Sequence, residues 1–260
     1  MPAVIVTSNL TGPEPVPPAA PGTRLAAIDV EWSKNYRIRG GNIPFCYSAV
    51  WLAGSASQTL DLRRFWYTSA YVEDPGELAD LLASADSTLA CLLRNATVIT
   101  GHQLCSDLAV LAAASTTPAS AVAAASAAWR QRRQASAGQP GFLDTRYDAG
   151  HILSGRSRRL VDVCADLRLD VTQPELRGIS MTALHRRWLQ AGDVVAREKI
   201  TVLNLRHCLS TALVAARAAG LANWHPGLNV NRLLAAELGG TFGWLAHPVF
   251  TALLGEPDAA

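Results

Sequence analysis

The stretch Leu25-Ala26-Ala27-Ile28-Asp29-Val30-Glu31-Trp32 decides the fold: an apolar run that ends in two acids one residue apart. Residues i and i+2 of a strand point to the same face, so Asp29 and Glu31 emerge side by side from a segment otherwise built for burial. Two like charges this close are costly unless a cation lies between them. Carboxylate oxygens suit a hard divalent ion such as Mg²⁺ or Mn²⁺. Taken alone, Asp-x-Glu is common and reads more readily as a solvated strand end, so the surrounding sequence has to decide.

Working outward, residues 25–30, 45–52 and 58–62 read as three short strands, the last two separated by the turn-forming Ala53-Gly54-Ser55. They predict a three-stranded meander. Between the first two lies a basic loop, residues 33–42, that carries Lys34, Tyr36, Arg37 and Arg39 past the two acids. Asp74-Pro75 opens a helix with Asp as cap and Pro at the first helical position, and a second helical stretch spans 87–94. Residues 96–100 form a β-branched run that ends at Gly101, and 104–114 resume helix. The Ala- and Ser-rich segment 116–140 reads as an inserted surface helix and connection. Leu160, Val163 and Leu167 recur at helical spacing, and 180–189 and 197–219 are the last strong helices. Strands first, then helices alternating with single strands, predict an α/β sheet with helices on its faces.

Three segments are expected: a Pro-rich flexible leader (1–23), a main domain (24–221) and a C-terminal appendage (222–260) whose apolar residues pack on the domain or on a second copy as a homodimer. With 260 residues, 49% hydrophobic and 17% charged, the chain can bury a large core. A net charge of +2 does not announce nucleic acid by itself, so the placement of the basic clusters matters more than their sum. Five cysteines without a Cys-x-x-Cys pair argue against a disulfide framework or a structural zinc site and fit a reducing cytoplasm. Neither a signal peptide nor a membrane span of ~20 apolar residues is expected.

Ala96-Thr-Val-Ile-Thr100-Gly101-His102-Gln103-Leu104-Cys105-Ser106-Asp107 ends a strand and opens a helix, with Asp107 in its first turn. Ligand sites in open α/β sheets lie at such junctions, which places Asp107 to meet Asp29 and Glu31. Together with Leu143-Asp144-Thr145, these segments resemble the DEDD superfamily of 3′-5′ exonucleases over roughly residues 24–221. The resemblance implies a ribonuclease-H-like mixed sheet, a three-stranded antiparallel meander plus parallel strands, flanked by helices. It also implies two divalent metal ions, Mg²⁺ or Mn²⁺, and hydrolysis of phosphodiester bonds at the ends of single-stranded DNA, RNA or short oligonucleotides.

The family's third motif sets an Asp four residues before Thr-Ala on a late helix. Here Thr211-Ala212 puts His207 at that position, and the family's general base would fall on Leu203 or Val202, neither of which accepts a proton. His207 reads as a metal ligand, since imidazole suits Mn²⁺, Co²⁺ or Zn²⁺, as a base, or as a helix histidine bonded to a neighbour such as Asn204. Asp193 and Glu198 are the acids nearby that can replace the missing one, although both read more readily as exposed helix-terminal charges. Trp32, Lys34, Tyr36, Arg37 and His102 are the expected substrate contacts, basic and aromatic groups suited to a single strand. Arg156, Arg158 and Arg159 read as phosphate contacts or as a solvated helix entrance. His151, His185, His225 and His247 share no metal-ligand spacing. The alternative is a catalytically silent nucleic-acid-binding or protein-interaction module that retains the fold.

Overall fold

The structure is a computed structural model that describes residues 4–11, 16–18, 22–33, 41–54, 59–116, 119–134 and 139–255. A short strand, Ile5–Ser8 (β1), precedes the decisive strand Arg24–Ser33 (β2), and Ile43–Ala53 (β3) and Trp66–Tyr71 (β4) follow. β2 pairs antiparallel with β3, and β3 antiparallel with β4. On its other side β2 runs parallel to Val98–Gly101 (β5), which runs parallel to Gly141–Asp144 (β6). The order is β1-β4-β3-β2-β5-β6, a six-stranded mixed sheet flanked by helices, as an α/β fold requires.

Period-two alternation divides the apolar residues of β2 between two layers. Leu25 and Ala27 face the layer built on the long helix Val194–Ala218. Ala26, Ile28 and Val30 face a second layer, to which Leu78–Asn95 (α1), Leu104–Ala114 (α2) and Ser120–Arg130 (α3) contribute. Leu160–Asp166 (α4) and Met181–Ala191 (α5) complete the series, so the long helix is α6. α6 is buried along most of its length because sheet strands cover one side and the C-terminal segment covers another.

Three expectations change. The third meander strand is β4, not residues 58–62: Leu60 makes only an isolated bridge to Gly54. The chain doubles back so closely that a Cβ on Gly54 would stand 2.4 Å from the Thr59 carbonyl oxygen, and ladder pairing resumes at the aromatic-rich Trp66-Tyr-Thr-Ser-Ala-Tyr71. The leader contains structure, since β1 lies antiparallel along β4 and supplies that edge with backbone partners. The two helices expected after Asp74 are one. The Asp74–Glu77 capping box starts a turn that leads into α1, where Leu81, Ala85, Leu89 and Leu92 form a continuous buried stripe.

Residues 222–255 pack on the domain, one of the two arrangements expected of them, and share its core. Val230 and Leu234 of Val230–Leu238 (α7), with Trp244 and Phe250, pack in one cluster with Val202, Leu205 and Leu209 of α6. A polar network fixes this packing. Fully buried Arg206 donates Nη1 and Nη2 to the two carboxylate oxygens of Glu175, both at 2.7 Å, and Nε to Asn231 Oδ1 at 2.8 Å. Trp244 Nε1 donates to Glu175 Oε1 at 3.0 Å. The tail thus satisfies its apolar face within its own chain. No helix among the described residues is long and apolar enough to cross a membrane.

Removing one partner of a buried ion pair strands the other charge, so Glu175→Ala is expected to lower unfolding free energy by about 3–5 kcal/mol in a urea titration. Asp61→Ala, which removes the partner of exposed Arg63, is expected to leave the urea midpoint almost unchanged.

Candidate functional site

Asp29 and Glu31 share strand parity with Leu25 and Ala27 and therefore fall on the α6 face. The β2–β5 ladder stops at the Ala27–Thr100 pair, so both acids extend past the carboxyl end of β5, where the sheet opens. They remain beside Ser48 and Cys46 of β3 until a register irregularity between Glu31 and Trp32. Such bulges bend the strand and re-aim side chains. On one side β2 meets a consecutive antiparallel neighbour and on the other a parallel crossover partner. Ligands of α/β sheets bind in the crevice at such a point.

α6 brings Asn204 and His207 against these acids, three residues apart and therefore on one helix face. Asn204 Nδ2 donates to Asp29 Oδ2 at 2.7 Å and is itself fully buried. His207 Nδ1 stands 3.4 Å from Glu31 Oε1 and 3.8 Å from Asp29 Oδ2. One donor atom each from Asp29, Glu31 and His207 lies within 4.8 Å of the others. Neighbouring donors on a common ion, each roughly 2.1 Å from it, stand roughly 3–4 Å apart, so this donor set fits a divalent cation. His207 is therefore partnered by carboxylates; Asn204, its expected helical neighbour, serves Asp29 instead.

The first turn of α2 carries the third acid. Asp107 is 4% exposed, and its Oδ2 is buried with no hydrogen-bond partner. A lone buried carboxylate oxygen is expensive and calls for a ligand. The turn that delivers it is built tightly: a Cβ on Gly101 would stand 2.8 Å from Leu104 Cβ, and Gln103 takes a left-handed φ of 68°. Asp144 holds that turn. Its Oδ1 accepts from Gln103 N at 2.9 Å and its Oδ2 from Leu104 N at 2.9 Å and Trp129 Nε1 at 3.2 Å. The Leu143-Asp144-Thr145 landmark is thus a scaffold for the α2 entrance.

Like charge marks the site electrostatically. Burial, then the charge of Glu31, pushes the Asp29 carboxyl up to about 7, opposed by His207 and the Asn204 hydrogen bond. Burial, then Asp29 and Glu31, raises Asp107 well above the carboxylate range. Burial depresses the His207 imidazole, but Glu31 and Asp29 outweigh it and hold the ring above its ordinary value. An open cavity of about 570 Å³ is lined by Asp29, Glu31, Trp32, Asp107, His207 and Met181, among others.

No family model, curated protein or solved structure matches this chain.

The remaining candidates divide clearly. Trp32 and His102 line the cavity. Both ring nitrogens of His102 are engaged, Nδ1 with Thr145 Oγ1 and Nε2 with the Arg158 carbonyl, each at 2.9 Å, and burial lowers its pKa to about 4. Lys34, Tyr36 and Arg37 lie outside the described residues. Asp193 and Glu198 do not replace the missing acid, because Asp193 caps α6 at Ala196 N and Glu198 accepts from Trp244 N. The Arg158 guanidinium turns back to the Gly155 and Ser157 carbonyls, and Arg159 faces Asp162 at 3.9 Å. Sequence reasoning missed Asn204 as a partner of Asp29, and Ser106, Met181 and Thr182 as cavity walls. Asn204 was within reach, one turn before His207; the start of α5 was read as helix, but nothing local marks it as a cavity wall.

The raised Asp29 pKa has a definite sign for stability without metal. A folded-state pKa near 7 against an ordinary 3.8 means that the folded form holds a proton the unfolded chain releases, a stabilisation lost as pH rises through 7. In chelator, Asp29→Asn is expected to gain stability over the parent as pH moves from 5 to 8, by on the order of 1–2 kcal/mol in urea titrations at both pH values.

Proposed function

We propose that this chain is a metal-dependent 3′-5′ exonuclease with a ribonuclease-H-like fold, resembling the DEDD superfamily, that hydrolyses the ends of single-stranded DNA or RNA or short oligonucleotides. The observation that carries the reading is the convergence of Asp29, Glu31, Asp107 and His207 on one open cavity at the carboxyl end of β2. An antiparallel meander, β2 to β4, continued by the parallel strands β5 and β6, supports the fold assignment. A buried acid without a partner supports a cation-dependent chemistry over a merely structural cluster.

Asp29, Glu31 and His207 would hold the cation, and the free oxygen of Asp107 would serve the same ion or a second one. Divalent cations supply Lewis-acid chemistry when bound, lowering the pKa of water and offsetting charge on the departing 3′ oxygen. Asn204 orients Asp29 by donating to Oδ2. Trp32 and Met181 offer apolar surface to a base or sugar, as a single strand end requires. His102 keeps its ring nitrogens in the scaffold and leaves substrate only its ring surface.

A second reading, a silent module that binds nucleic acid or protein without cutting, is favoured by one specific observation. Val202 and Leu203, at the family's general-base position, are apolar and fully buried. End-labelled single-stranded DNA and RNA incubated with Mg²⁺ or Mn²⁺ separate the two. The exonuclease reading expects progressive shortening from the 3′ end, reduced at least about 100-fold by Asp29→Ala or Asp107→Ala. Substrates left equally intact by parent and variants with both metals would leave the silent module standing.

A further inference from the structure

We propose that the site selects a borderline transition-metal cation of the Mn²⁺ type over Mg²⁺, because His207 contributes imidazole Nδ1 to it. The inference rests on reading this cavity as a metal centre and deepens that reading by naming the class of cation.

Geometry fixes the nitrogen that faces the acids. Nδ1 is the ring atom at 3.4 Å from Glu31 Oε1 and 3.8 Å from Asp29 Oδ2. The helix that carries the ring is clamped on either side of it. Arg206 is held bidentate by Glu175, and Cys208 is fully buried with its thiol toward the Ser48 carbonyl. The acids are held as well, Asp29 by Asn204 at 2.7 Å and both by the β3 ladder. Independently of the cluster, the buried, partnerless Asp107 Oδ2 on the same cavity points to a ligand that is missing from the protein's own hydrogen bonding.

The donor chemistry then sets the preference. Mg²⁺ demands oxygen donors in near-octahedral geometry and sheds its water reluctantly, so an imidazole in place of a carboxylate removes both a charge and a preferred donor. Mn²⁺, Co²⁺ and Zn²⁺ accept imidazole nitrogen readily. The half-buried His207 therefore costs the site Mg²⁺ affinity while retaining Mn²⁺ affinity.

The test titrates the chelator-stripped full chain with MgCl₂ and with MnCl₂, following melting temperature, for the parent, His207→Asp and His207→Asn. Half-saturation by Mn²⁺ is expected at least about tenfold below that by Mg²⁺ in the parent, with His207→Asp narrowing the ratio by about tenfold. Pulsed electron paramagnetic resonance of the Mn²⁺ form is expected to show histidine nitrogen coupling in the parent and none in either variant. If His207→Asp does not fold, His207→Asn carries the comparison and is expected to weaken Mn²⁺ more than Mg²⁺. An unchanged ratio in the folded variant, or no nitrogen coupling in the parent, overturns the selectivity while leaving a metal centre in place. No melting shift of the parent with either cation overturns both the selectivity and the metal-dependent nuclease reading.

Discussion

Three carboxylates and one imidazole crowd the end of a strand whose apolar run, Leu25 to Ile28, is buried, and the sheet is arranged to keep them there. Mutual repulsion alone would push Asp29, Glu31 and Asp107 apart or into water. They stay because each is fixed by something else. β3 holds the strand that carries two of them, the Asp144-capped turn fixes the third, and Asn204 ties Asp29 to α6. Burial first, and neighbouring acid charge second, raise the Asp29 and Asp107 pKa values, a cost that a bound cation would offset.

α6 is where fold and site become one problem. A helix that must present Asn204 and His207 to β2 on one side has its opposite side left to cover, and the C-terminal segment covers it. The Glu175–Arg206–Asn231 network and Trp244 specify how that cover sits. Stability at the far end of the chain thus holds the helix register on which the site depends, although none of those residues lines the cavity.

Much of this was legible from local pattern. Strand parity placed Asp29 and Glu31 on one face, the Gly101-to-Asp107 segment placed its acid in a first turn, and α2 runs as read, Leu104–Ala114. What was not legible depends on distant partners. β1 is a strand only because β4 offers it an edge, and β4 displaced residues 58–62 through pairing that no short window reveals. The tail's packing partner stayed open between the domain and a second copy because its apolar residues lack strong periodicity, and their complement lies on α6. Asn204 was read as a neighbour of His207 along the helix, whereas its partner is 175 residues away on β2.

His207 sits between two residues that do the anchoring, Arg206 and Cys208, while its own side chain is the one in that run that reaches the cavity. Holding the helix and doing chemistry are therefore assigned to different, adjacent positions. A change of residue type at 207 leaves the anchoring contacts of Arg206 and Cys208 in place. A substitution at position 207 therefore acts on the chemistry of the cavity rather than on the packing that holds α6.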